Sequence, residues 1–224
     1  MIKNITNLGD SALYCDFGEK INKEINLNVI NFFKNLQKLK IKGITNISPS
    51  YNKLIISFDL SETSFSALKD KVLSIKSEDF KKEINENIKI PVCFDEEFTP
   101  DLNRLSSNLN ISQEDILKKF LEKNYYCYMT GFIAGMPFLG DIDKKMRFKR
   151  LETPRVKVPK GAVGITEQFC NIYTFESPGG WNIIGNTPAK VFNKLDSKNP
   201  TLIKPGDNIN FFKISKKEYL NWND

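Results

Sequence analysis

Apolar residues recur along this chain in two rhythms, and the switches between them mark out its elements. Leu13, Cys15 and Phe17 alternate with more polar neighbours over Ser11–Phe17, the period of a half-buried strand. A helical spacing follows: Ile21, Ile25, Val29, Phe32, Phe33, Leu36 and Leu39 share one face, which predicts an amphipathic helix ending before Gly43. Ile44–Ser48 and Lys53–Phe58 read as strands, the first closed by Pro49-Ser50 and the second rich in β-branched residues. Phe65, Leu68, Val72 and Ile75 mark a second helix. With Ile88–Cys93 as the closing strand, the order strand, helix, strand, strand, helix, strand is that of a split β-α-β sheet.

The charged stretch Ser74–Asn87, poor in large apolar residues, reads as a linker or domain edge. Beyond it, Leu102, Leu105 and Leu109 predict a short helix. Ser112, followed by Glu114 and Asp115, predicts the capped start of another through Ile116, Leu117, Phe120 and Leu121. Tyr125–Met129 reads as an aromatic strand, with Tyr126 and Tyr128 on one face and Tyr125 on the other. Nine of the twelve glycines and seven of the ten prolines then lie from Gly131 onward, so the rest is cut into short pieces. Runs at Val156–Val158, Val163–Ile165, Asn171–Phe175, Trp181–Ile184 and Asn208–Ile214, separated by turn residues, predict a small β-barrel or sandwich.

Residues 177–188, Ser-Pro-Gly-Gly-Trp-Asn-Ile-Ile-Gly-Asn-Thr-Pro, place a large aromatic between two candidate turns. Pro178 fixes φ, Gly179 and Gly180 open backbone angles closed to other residues, and Trp181 offers a broad apolar face with one N–H donor. Such a loop suits either a pocket wall or a hairpin whose Trp181 plugs a β core.

Composition narrows the chemistry. Histidine is absent, which excludes Ser-His-Asp and Cys-His mechanisms and leaves proton transfer to carboxylates, lysine, tyrosine or thiolates. Cys15, Cys93, Cys127 and Cys170 lie far apart without a C-x-x-C pair, so neither a zinc site nor a disulfide framework is expected, and Cys127 and Cys170 read as buried apolar fillers. The net charge of +6 is spread as lysines interleaved with acids, a solvated surface rather than a nucleic-acid-binding stripe. No signal peptide or membrane-length apolar run is visible, and a cytoplasmic protein is the expectation. Only four of the 33 basic residues are arginine, and Arg147, Arg150 and Arg155 fall within nine consecutive positions, with Arg104 apart. Arg155, between Pro154 and Val156-Lys157-Val158-Pro159, is the candidate for a bidentate grip on a carboxylate or phosphate. A salt bridge to Asp141, Asp143 or Glu152 is the competing reading. Asp141 and Asp143 read as charge partners or a shared general base, Asp10 and Asp207 as turn formers. Backbone bends after Pro154 and Pro178 are expected to converge on one cavity wall, bringing Arg155 toward the indole.

Six segments in this order resemble one family: Gly9-Asp10-Ser11-Ala12-Leu13; Ile90-Pro91-Val92-Cys93 with Pro100-Asp101-Leu102; Gly131-Phe132 through Pro137-Phe138-Leu139-Gly140; Thr153-Pro154-Arg155 with Val158-Pro159-Lys160-Gly161; Ser177 to Pro188; and Pro205-Gly206-Asp207. The family is that of the B subunit of 5-oxoprolinase, also known as allophanate hydrolase subunit 1, to which the sporulation kinase inhibitor KipI belongs. The resemblance implies an α+β chain: an N-terminal split β-α-β domain over residues 1–86, then a cyclophilin-like β-barrel over 87–224. It implies pairing with a C subunit of related barrel fold and an A subunit, with ATP as co-substrate for opening 5-oxoproline to glutamate. No Walker A segment is present. The pocket it implies is lined by Phe138, Arg155, Gly179, Gly180, Trp181, Asn186 and Thr187, with no metal. The alternative is a KipI-like inhibitor whose barrel binds a sensor histidine kinase; a third reading is a urea-amidolyase component.

Departures from the family pattern accompany the matches. Phe120 stands where a histidine is usual, Ala134-Gly135-Met136-Pro137 replaces Pro-Gly-Phe-Pro, Gln168-Phe169-Cys170-Asn171 replaces Gly-Gln-Thr-Gly, and Asn186 takes the place of an arginine. These changes imply an altered pocket on an intact scaffold.

Overall fold

The computed structural model describes residues 2–75 and 87–223, and the chain divides into two compact units, Met1–Ile84 and Asn85–Asp224. Most of the linker expected at Ser74–Asn87 lies outside the described residues.

The first unit is a four-stranded antiparallel sheet in the order β1-β2-β4-β3, built from β1 (Asn4–Asn7), β2 (Ala12–Asp16), β3 (Ile44–Pro49) and β4 (Lys53–Phe58). Because β2 and β3 are both antiparallel to the β4 between them, they run parallel to each other across α1 (Lys23–Leu39), the split β-α-β arrangement. Alternation predicted the core correctly: Leu13 and Cys15 of β2 and Leu54, Ile56 and Phe58 of β4 are buried with Val29, Phe32 and Leu36 of α1 and Leu68 and Val72 of α2 (Phe65–Leu73). Asn22 caps α1 by accepting from the Ile25 N–H at 2.9 Å, and Lys40 ends it in the left-handed region. The pattern held no sign of β1, whose only buried side chain is Ile5: an edge strand with one inward residue carries no alternation to read.

The second unit corrects the place of Ile88–Cys93. That strand, β5 (Asn87–Cys93), does not close the first sheet; it joins a closed seven-stranded barrel of cyclophilin-like architecture in the order β10-β7-β6-β13-β5-β12-β9. Its partner β13 (Asn208–Ile214) runs parallel to it from Asn208↔Asn87 to Ile214↔Cys93, a pairing that spans more than a hundred residues of sequence and is invisible to local pattern. The other strands are β6 (Asn124–Thr130), β7 (Pro137–Gly140), β9 (Ala162–Thr166), β10 (Phe169–Ile172) and β12 (Asn182–Asn186). The sequence did not predict β7, too short and too enclosed by Gly and Pro, and β10 begins two residues before the expected run and stops at Ile172.

The barrel interior holds Ile90, Val92, Tyr125, Cys127, Leu139, Val163, Ile165, Cys170, Ile172, Ile184, Ile209 and Phe211. Packed with them are Leu102 and Leu105 of α3 (Leu102–Leu109) and Ile116 and Phe120 of α4 (Gln113–Leu121). Phe120 stacks on Phe211 with ring centroids 4.8 Å apart, lies 5.3 Å from Tyr125, and accepts at its carbonyl from the Tyr125 hydroxyl at 3.1 Å. This departure from the family pattern is therefore core packing, and it does not face a pocket. Cys127 and Cys170 are fully buried in the same interior, as fillers. Tyr126 and Tyr128 share the opposite face of β6, edge to face at 5.1 Å.

Candidate functional site

Strand pairing sets a row of four residues across the outside of the barrel. Phe138 of β7 is opposite Asn171 of β10, Asn171 is opposite Gly164 of β9, and Gly164 is opposite Ile183 of β12. Their sequence neighbours Leu139, Cys170, Ile172, Val163, Ile165 and Ile184 fill the interior, so alternation turns this row outward. It is nonetheless covered. Ile183 belongs to a second apolar cluster with Met136, Val158, Ala162 and Tyr173, against which Ile133 and Phe138 pack.

A two-stranded ribbon supplies one flank. β8 (Arg155–Val158) pairs with β11 (Ser177–Gly179), setting Gly179 opposite Arg155 and Ser177 opposite Val158. The Leu151 N–H donates to the Gly180 carbonyl at 2.7 Å, so the segments containing Pro154 and Pro178 run side by side. This corrects the reading of residues 177–180 as a tight turn. Gly179 and Gly180 are not in the left-handed region; a Cβ on Gly179 would strike the Tyr173 hydroxyl, whereas one on Gly180 would meet nothing nearer than 3.6 Å. Close approach, not backbone angle, is what requires Gly179.

Tyr173 links the parts. Burial pushes its phenol pKa up, opposed by the Asn171 side chain, the Trp181 backbone N–H and the Arg155 charge, which all face it. Trp181 reaches from the start of β12 over Gly164, whose absent side chain leaves room for the indole: a Cβ there would lie 3.0 Å from the Trp181 Cβ and 2.8 Å from Asn171 Oδ1. The indole meets the Phe138 ring edge to face at 5.6 Å.

Arg155 is held by a residue that local sequence did not assign to it. Its Nη2 donates to Asp101 Oδ1 at 2.7 Å, and not to Asp141, Asp143 or Glu152. Asp101, only 4% exposed in its side chain, accepts from the Ile183 N–H at Oδ2 (2.6 Å) and donates its own N–H to the Ile183 carbonyl at 3.2 Å. Arg104 Nε stands 3.8 Å from the same Oδ1, its Nη2 donates to Asn182 Oδ1, and its guanidinium lies over the Phe148 ring at 5.3 Å. Two guanidinium groups thus share one carboxylate; Arg155 Nη1 is buried without a hydrogen-bond partner, and Arg104 Nε, also buried, meets Asp101 only at ion-pair distance. The signal for Asp101 was present in Pro100-Asp101-Leu102, an acid at the head of an apolar helix; its target, 82 residues away, was not.

The remaining candidates lie elsewhere or are engaged internally. Asn186 Nδ2 donates to the Lys160 carbonyl at 3.1 Å while its Oδ1 accepts from the Tyr219 hydroxyl at 2.9 Å, and Thr187 Oγ1 accepts from the Ala189 N–H at 3.1 Å. Both brace the Gly161 turn, where a Cβ would collide with them. Asp141 accepts from the Tyr128 hydroxyl at 3.1 Å, Asp143 from the Lys145 N–H at 2.8 Å, and Asp207 from the Lys204 N–H at 2.8 Å. Among the described residues no group of three His, Cys, Asp or Glu side chains is arranged to hold a metal ion, and no helix is long and apolar enough to cross a membrane.

The sequence profile of the family described as carboxyltransferase domain, subdomain C and D, matches residues 3–203. This chain belongs to that family. It is 34% identical to the B subunit of 5-oxoprolinase from Bacillus subtilis, over 96% of this chain and 94% of the relative. It is also 27% identical to the urea amidolyase of Lachancea kluyveri, over 94% of this chain but 13% of that much longer protein. A crystal structure of TTHA0988 superposes on the carboxyltransferase-family chain with a TM-score of 0.80 at 28% identity, covering 91% of this chain and 40% of the other.

Proposed function

We propose that this chain is the B subunit of an ATP-dependent 5-oxoprolinase, acting with a C subunit of related barrel fold and an A subunit to open 5-oxoproline to glutamate. The near full-length likeness to the B subunit of 5-oxoprolinase carries the reading, since the Bacillus subtilis relative of that name matches over 96% of this chain and 94% of its own length, whereas urea amidolyase matches over a minor portion of its length. The local geometry is compatible with it. A lactam is a resonance-stabilised amide and a poor electrophile; transfer of a phosphoryl group from ATP to its oxygen makes the ring carbon open to water. Such a substrate needs a cation for its carboxylate and an apolar wall for its ring methylenes. Arg155, oriented by Asp101 and keeping a spare donor at Nη1, suits the first; Phe138 and Trp181, beside Gly179 and Gly180, suit the second.

The test is reconstitution. Coexpressed with the A and C subunits from the same genome, the chain is expected to support ATP-dependent release of glutamate from 5-oxoproline, with activity lost when this chain is omitted. In that complex Arg155→Lys, which keeps charge but loses the planar fork, is expected to raise KM more than it lowers kcat. Absence of turnover from the complete, folded assembly overturns the proposal.

A further inference from the structure

Asn171 is fully buried; its amide oxygen has no hydrogen-bond partner, and its amide nitrogen faces only the Tyr173 phenol among the described side chains. Orphaned buried amides are rare, and each needs a physical reason.

The surroundings supply the reason. Asn171 is flanked by Phe138 on one side and by the bare backbone of Gly164 on the other. Trp181, rooted beyond Gly164, extends back to touch Phe138, so the two rings meet above the amide and roof it. Trp181 and Phe138 are each only partly buried, so the roof faces solvent on its far side. Ser177 Oγ and Arg155 Nη1, from the adjacent ribbon, are likewise buried without partners. Incompletely paired polar groups beside an aromatic pair that is open to solvent on its far side suit a ligand that slips beneath that pair.

We propose that Asn171 is a binding residue that reads the edge of a cis amide, and that its ligand is a small lactam carrying a carboxylate. A lactam holds its N–H and C=O on the same side, as does the carboxamide of Asn171, so the two groups pair head to tail: Asn171 Nδ2–H donates to the lactam oxygen and the lactam N–H donates to Asn171 Oδ1. An open-chain trans amide cannot present both groups to one carboxamide. The ring methylenes take the space under Phe138 and Trp181, and the carboxylate turns to the spare donor of Arg155. The identity of this ligand as a carboxylate-bearing lactam, 5-oxoproline, rests on the function proposed above; the pairing with a cis amide does not.

Trp181 provides the readout, because it is one of only two tryptophans and Trp222→Phe leaves it alone. The full-length Trp222→Phe chain, titrated with L-5-oxoproline, is expected to give a saturable change in fluorescence as the roof opens. The N-methyl derivative, which lacks the donor, and glutamate, which lacks the lactam, are expected to bind about tenfold more weakly or worse, as for a site left with unpaired polar groups. Asn171→Leu is expected to keep its melting temperature and lose the response to 5-oxoproline. Should that variant fail to fold, the N-methyl arm still decides, since it uses unaltered Asn171. Equal binding of the N-methyl derivative, undiminished binding by folded Asn171→Leu, or no saturable response to 5-oxoproline each overturns the inference. Lactam binding through Asn171 without turnover in the complete assembly removes the proposed function and leaves the inference standing. Turnover with an unchanged KM in folded Asn171→Leu does the reverse.

Discussion

Asp101 ties the start of α3 to β8 and β12. Its carboxylate accepts from Arg155 and from the backbone of Ile183 while lying almost wholly out of water. Truncation to alanine leaves the buried Ile183 N–H and the Arg155 guanidinium without their acceptor, and such losses cost about 3–5 kcal/mol when the pair is fully buried. Arg155 keeps 30% of its side chain exposed, which lowers the expected loss to about 2–3 kcal/mol. Chemical denaturation of Asp101→Ala against Asp101→Asn checks this, the asparagine variant retaining an acceptor for Ile183 and losing less. In the first unit the charge argument concerns Asp16. The hydrogen bond from Lys53 Nζ at 2.6 Å holds its carboxyl below the ordinary value of 3.8. A depressed folded pKa stabilises above the unfolded value, and that contribution is lost as the pH falls below 3.8 through the folded one. The pair is partly solvated, so the effect is at most about 1 kcal/mol. Acid unfolding of Asp16→Asn is expected to show a shallower loss of stability over that window than the parent chain.

Ribbons and strands respond to substitution according to what lies beside the backbone. Gly179→Ala drives a methyl group into the Tyr173 hydroxyl and is expected to cost about 1–3 kcal/mol and to loosen the pairing of β8 with β11. Gly180→Ala, one residue on and with ordinary contacts, is expected to stay within about 0.5 kcal/mol of the parent. Melting curves of the two variants, compared directly, separate close approach from conformational freedom as the reason for the Gly-Gly pair. The sequence placed α1, α2, α3, α4, β6 and β13 well, because each carries a hydrophobic period long enough to exceed the noise of single residues. β1, β7 and β11, at three or four residues, do not, and they exist because a longer partner already offers them a ladder to join.

Across the whole molecule, the four cysteines test the burial of both cores at once. Cys15 lies in the first, where burial pushes its thiol up to about 12, and burial likewise raises the thiols of Cys93, Cys127 and Cys170 in the second. Thiols so raised present almost no thiolate near neutral pH. The native chain is expected to resist a thiol reagent at about pH 8, below the ordinary thiol pKa, and all four to react once it is denatured; rapid labelling of native protein contradicts the packing described. The sequence by itself determined the fold class, the two-part organisation of its hydrophobic pattern and the family, because periodicity and ordered motifs survive in one dimension. Only the tertiary structure decided that Ile88–Cys93 closes the barrel, that Phe120 is core, that Asp101 orients Arg155, and that Asn171 lies buried between Phe138 and Gly164. Each of these depends on which residues, tens to more than a hundred positions apart, the strand register brings within a few ångströms, and no local pattern encodes such a distance.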